Sequence, residues 1–155
     1  MNAIFGFSFG GSQKYGPGAA NIALGKIIDK VSCQYPEDLV IVQAPLEQCV
    51  TIAPDFVIPL EKYINSEEVI KRALDIFQEN DLGKIRLVAH PFLHRIQCMR
   101  LLRRYGFDVE IVPTGWVPFD QHSDGWWTRG PLRLIAYAIL TLFGLHGLGY
   151  RESAQ

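Results

Sequence analysis

Five short apolar runs, separated by segments of helical periodicity, decide the fold class of this chain. The runs are Ala3-Ile4-Phe5, Asp38-Leu39-Val40-Ile41-Val42, Phe56-Val57-Ile58, Ile85-Arg86-Leu87-Val88-Ala89 and Val109-Glu110-Ile111-Val112, each of strand length. Between them, Ala20, Ala23, Leu24, Ile27, Ile28 and Val31 recur at helical spacing and predict a helix over about 19–31. Asn65 with Glu68 three residues on forms a capping box. It opens a helix with Val69, Ile70, Ala73, Leu74 and Phe77 on one face, stopping before Gly83. Leu93, Ile96, Met99, Leu102 and Tyr105 mark the apolar face of the next helix, closed by Gly106. Strands alternating with helices mean an α/β fold. Right-handed crossovers then give a Rossmann-like three-layer α/β/α sandwich on a mostly parallel sheet of about five strands. At 155 residues the chain reads as a single domain, 1–155, with an apolar C-terminal helix over 131–150 packed on it.

In an open α/β sheet, ligands bind outside the carboxyl ends of the strands, so the residues after each strand are the candidates. The first strand runs into Phe7-Ser8-Phe9-Gly10-Gly11-Ser12, then through Lys14, Gly16, Pro17 and Gly18 to Asn21 and a helix start. A strand, a glycine turn and a helix start together offer free backbone N–H groups to an anion. Gly10, Gly11, Ser12 and Asn21 are therefore candidate ligand contacts. The second strand leads to Gln43, the third to Glu61, the fourth to His90-Pro91-Phe92-Leu93-His94-Arg95, and the fifth to Thr114. Beyond Thr114 a loop to Gly130 carries Trp116, Asp120, His122, Asp124, Trp126, Trp127 and Arg129. Loops that long inside a compact domain are more often functional than connective.

Each candidate role follows from residue chemistry. His90 or His94 suits proton transfer near neutral pH, with Asp120 or Glu61 as the acidic partner. A histidine that caps a helix or packs in the rim is the competing reading. Pro91 argues against the two histidines sharing a helix face, and so against a metal. Arg95 sits in a helix first turn, where the macrodipole disfavours it unless an anion is bound; Arg129 is a second clamp. Trp127 is a stacking wall, or core for the terminal helix, with Gln43 and Thr114 completing the cleft. Gly16-Pro17-Gly18-Ala19-Ala20-Asn21 is not G-x-G-x-x-G, which disfavours a standard dinucleotide site.

Gly6-Phe7-Ser8-Phe9-Gly10 also fits the G-x-S-x-G pattern of a nucleophile elbow. An elbow serine needs an oxyanion donor from an earlier loop, and only five residues precede Gly6. A small serine hydrolase using Ser8 therefore stays an alternative. So does a non-catalytic interaction or homodimerisation protein.

A formal net charge of -1 argues against general nucleic-acid binding. Three cysteines without C-x-x-C spacing point to a reducing, cytoplasmic setting. Residues 134–150 are apolar but glycine-interrupted and short of a bilayer span, so stable membrane insertion is not expected.

The order of these parts resembles the SanA/YdcF-like family of bacterial domains of unknown function. The likeness is carried by the glycine-rich stretch 3–21, the acidic and serine-bearing stretch 61–68, the histidine helix closing on Arg103-Arg104-Tyr105-Gly106 within 87–112, and 123–129. The family's His-x-x-Arg reads His94-Arg95-Ile96-Gln97 here. The resemblance implies a Rossmann-like fold with a polar cleft, a link to cell-envelope metabolism, and S-adenosylmethionine as one candidate cofactor. The expected function is binding of an anionic or nucleotide-like small molecule at the carboxyl rim.

Overall fold

A computed structural model describes residues 1–59 and 65–142. Five strands, β1 (Asn2–Gly6), β2 (Leu39–Gln43), β3 (Phe56–Ile58), β4 (Lys84–Val88) and β5 (Asp108–Ile111), form one sheet in the order β3-β2-β1-β4-β5. Every pairing is parallel. The helices are α1 (Gly18–Gln34), the single turn α2 (Ala44–Glu47), α3 (Ser66–Glu79), α4 (Leu93–Arg104) and α5 (Pro131–Leu142). The protein is an α/β three-layer sandwich of Rossmann-like topology. The α2 turn and a 3-10 turn over Trp126–Arg129 had no sequence signal strong enough to place them.

Alternation along the strands divides the core in two. Ala3, Phe5, Ile41, Ile85 and Leu87 face Val69, Ile70, Ala73 and Phe77 of α3 and Cys98, Leu101 and Leu102 of α4. Ile4, Val40, Val42 and Val88 face Ala20, Leu24, Ile28 and Val31 of α1, joined by Trp127 and by Leu134 of α5. The Asn65 cap is formed as expected, its side chain accepting the Glu68 N–H at 2.9 Å. Helix α4 keeps part of its expected face, with Leu102 buried and Met99 and Tyr105 packed on the core, but Leu93 and Ile96 lie exposed and Cys98 and Leu101 are buried instead. Of the expected terminal helix, 131–142 is α5 and 143–150 lies outside the described residues.

One polar group interrupts the second core. Arg86, mid-strand in β4, is buried, with its guanidinium on Asp38 and across the Tyr35 ring at 3.6 Å. Glu110 stands 3.6 Å from its Nε.

Helix α1 approaches the segment after α2 so closely that a Cβ at Gly25 would collide with the Cys49 backbone. A Gly25→Ala variant must push helix and loop apart. It should lose about 1–3 kcal/mol in urea unfolding, the range for overpacking, against a gain of about 0.4–1 kcal/mol for the same change at an unobstructed helical glycine.

Candidate functional site

Strand order reverses between β1 and β4, and the crevice at their carboxyl ends is where such sheets take ligands. Here it is filled by rings. Phe7 continues the pairing of β1, its N–H donating to the Val88 carbonyl at 2.9 Å. Phe9 stacks on His90 with centroids 3.8 Å apart and planes 16° from parallel, and Phe119 lies 4.8 Å from the same imidazole. His94, in the first turn of α4, meets Phe7 and Phe9 at 6.1 and 5.3 Å.

These surroundings set the histidine chemistry. His90 is fully buried; its Nδ1 is 3.0 Å from the Pro91 carbonyl and its Nε2 has no hydrogen-bond partner among the described residues. Desolvation lowers its pKa, against the opposing pull of the Pro91, Val117 and Pro118 backbone. His94 places Nε2 3.4 Å from the Ser66 hydroxyl, and its Nδ1 is closed off without a partner. Desolvation, then repulsion from His90, lowers its pKa to about 3. Both imidazoles are held neutral inside an aromatic cluster.

The glycine turn is also occupied, by the chain's own oxygens. The Ser8 N–H donates to Gln43 Oε1 at 3.0 Å and the Phe9 N–H to Asn21 Oδ1 at 2.7 Å. Asn21 is buried and returns Nδ2 to the Pro17 carbonyl at 2.7 Å, so it organises the turn from within. The Gly11 N–H donates to Asp120 Oδ2 at 2.8 Å. The Ser12 hydroxyl and the Gln13 N–H donate to the two Asp124 oxygens at 2.8 and 2.9 Å. Two carboxylates from the loop after β5 thus take donors that a ligand anion would have used.

Asp120 is the centre of this arrangement. It is 5 % exposed, and its Oδ1 also accepts the His122 N–H at 3.2 Å. Gly18, the first residue of α1, has φ +78°, and a Cβ there would collide with the Asp120 carboxylate. The helix start is shaped around a carboxylate, a favourable place for negative charge.

Beside Asp120 lies an open cleft of about 300 Å3, lined by Tyr15, Gly16, Gly18, Ala19, Phe119, Asp120, Gln121 and His122. No lysine or arginine is in that lining, although Lys14 lies against the Tyr15 ring at 5.1 Å. Tyr15, Phe119 and Gln121 were not among the sequence candidates. An exposed tyrosine in a glycine turn carries no chemical signature of its own, and only the length of the loop after β5 pointed towards Phe119 and Gln121.

The remaining candidates are scattered. Arg129 donates Nε to the Ser123 carbonyl at 2.8 Å, holding the loop. Trp127 is buried and stacks on Tyr137 of α5 at 4.6 Å, on the core side of that choice. Thr114 is buried, with only a 3.4 Å contact from its hydroxyl to the Gly115 carbonyl. Arg95 is partly exposed and makes no side-chain hydrogen bond or ion pair among the described residues. Glu61 lies outside the described residues. Ser8 has no hydroxyl partner among the described residues, and α1 begins ten residues beyond it, so no nucleophile elbow forms.

Among the described residues no group of three or more His, Cys, Asp or Glu is placed to hold a metal, and no helix is long and apolar enough to cross a membrane. The three cysteines are unpaired. No family model, curated protein or solved structure matches this chain.

Proposed function

We propose that this protein binds a small ring-bearing ligand with hydroxyl or cationic groups, in the cleft between the glycine turn and the loop after β5. Asp120 is its anchoring carboxylate. The observation that carries this reading is the near-complete burial of Asp120 at the head of α1, on the wall of the open cleft. Its two oxygens accept from Gly11 and His122, which leaves lone pairs for a ligand hydroxyl or ammonium. The Tyr15 and Phe119 rings supply apolar faces for a planar group. A bare phosphate suits this lining poorly, because the charge already at the helix start is negative.

Nucleosides meet these demands, and so does S-adenosylmethionine with its cationic sulfonium. The latter also follows from the SanA/YdcF-like resemblance, which rests on the order of sequence parts. An enzymatic role in the cell envelope belongs to the same proposal and adds no residue to it.

Thermal unfolding with adenosine, S-adenosylmethionine, simple sugars and inorganic phosphate tests the reading. A ligand at a hundredfold excess over its Kd stabilises by about 2.7 kcal/mol, which is a melting shift on the order of 5–10 °C for a domain of this size. The expected result is a shift with at least one hydroxyl-bearing ring compound and none with phosphate. Tyr15→Ala and His122→Ala should abolish it without lowering the unliganded melting point. A panel without a shift, or a shift with phosphate alone, would sink the proposal.

A further inference from the structure

The turn between β1 and α1 is a small closed unit on glycine arms. Ser12 and Gly16 exchange backbone N–H···O bonds of 2.8 Å each, which ties residues 12–16 into one antiparallel turn. Gly10 and Gly11 lead into it at φ +83° and +97°, and Gly16 leaves it at +85°. Only glycine takes those angles at little cost. Within the turn Gln13, Lys14 and Tyr15 are exposed, and no residue is buried. Tyr15 and Gly16 form one wall of the cleft, and the Tyr15 ring lies 5.3 Å from the ring of His122 on the other.

Both ends of this turn are pinned and its body is latched. Asn21, buried in α1, accepts the Phe9 N–H at 2.7 Å and donates to the Gly10 and Pro17 carbonyls at 3.4 and 2.7 Å. Movement is thereby confined to the residues between Gly10 and Pro17. Asp124, on the loop after β5, accepts the Ser12 hydroxyl and the Gln13 N–H at 2.8 and 2.9 Å. Its own N–H donates to the Gly11 carbonyl at 2.9 Å. The Gln13 bond is solvent-exposed and the Ser12 bond only partly buried, so water can replace both.

We propose that, with the cleft as the binding site, residues 12–16 are its lid: hinged at Gly10–Gly11 and Gly16 and latched by Asp124, they open to admit a ligand and close Tyr15 over it. Lids turn on a few loop residues that absorb the change in φ and ψ, and glycines stand at both ends of this turn. A fixed wall would be held by buried side chains, and this turn buries none. Released from Asp124, the turn keeps the two bonds between Ser12 and Gly16, so it swings as a unit.

Trypsin cleavage after Lys14 in the folded full chain reads the open state, because a protease needs a stretch of chain released from its contacts. Cleavage is expected in urea far below the unfolding transition, at a rate nearly independent of urea, as for a local opening. Asp124→Ala, which removes both carboxylate bonds, should speed it about tenfold or more. Gly16→Ala should also speed it, by another route. A Cβ there would meet open space, so only the positive φ of the closed turn is penalised. Adenosine, S-adenosylmethionine and simple sugars are then added as in the melting assay. Any of them that raises the melting point should slow cleavage of the parent about tenfold or more. A rate that climbs with urea as global unfolding does, or that stays unchanged in either folded variant, overturns the lid. A melting shift with unchanged cleavage also overturns it and leaves the binding site standing. A panel without a melting shift removes the binding site and the lid with it.

Discussion

Asp38→Ala should cost about 3–5 kcal/mol of folding stability, the range for removing one partner of a buried ion pair. Arg86 and Asp38 expose only 10 % and 8 % of their side chains. With Asp38 gone, the guanidinium keeps the Tyr35 ring and the half-exposed Glu110 at 3.6 Å, which makes no hydrogen bond to it, and neither replaces a buried, hydrogen-bonded carboxylate. Urea unfolding provides the measurement, and an internal control is at hand. Lys84 and Glu110 pair at 3.7 Å with more than 40 % of each side chain exposed, so Lys84→Ala should cost less than about 1 kcal/mol. Adding Arg86→Met to Asp38→Ala should restore most of the loss, because an apolar side chain of similar length needs no partner. If Asp38→Ala costs no more than Lys84→Ala, the ion pair does not stabilise this fold.

The second large effect is on pH. A histidine kept neutral by the fold leaves the unfolded chain binding more protons at acid pH, so stability falls as pH falls. For His94 the fall begins near the unperturbed value of about 6.5 and continues towards a folded pKa of about 3. Above that window the group contributes no pH dependence. Within it each unit costs up to about 1.4 kcal/mol per histidine. Between pH 7 and pH 5, His94 alone should thus remove about 2 kcal/mol, and His90, lowered for the same reason, acts in the same direction. His94→Leu should flatten the slope while leaving stability near pH 7.5 little changed or higher, since an orphaned buried nitrogen is removed. A parent protein equally stable at both pH values would contradict the neutral, desolvated state assigned here.

The layers of this protein are legible in its sequence because burial imposes a period. Parallel strands buried on both faces read as unbroken apolar runs, and α1 and α3 show a clear stripe. Helix α4 is less transparent. Leu93 and Ile96 fall on one helical stripe with Met99 and Leu102 as readily as Cys98 and Leu101 do, and only the packing against β4 and β5 leaves the first two outside. The site is harder still. Glycines and polar residues on one rim correctly mark a place, but hydrogen bonds between Gly11 and Asp120, or Ser12 and Asp124, join residues more than a hundred positions apart. No local pattern records that the loop after β5 brings its own carboxylates to the glycine turn. Nor does it record that Phe9 would lie flat on His90 and turn two candidate catalysts into buried, neutral rings.

The central place of β1 bears on how the chain is made. Residues 2–6 are synthesised before both of their partners, since one edge of that strand pairs with 39–42 and the other with 84–88. Until β4 is synthesised, β1 keeps an apolar strand edge open to other chains, a known hazard for association. A nascent chain stalled between β2 and β4 is therefore the form of this protein most in need of a chaperone.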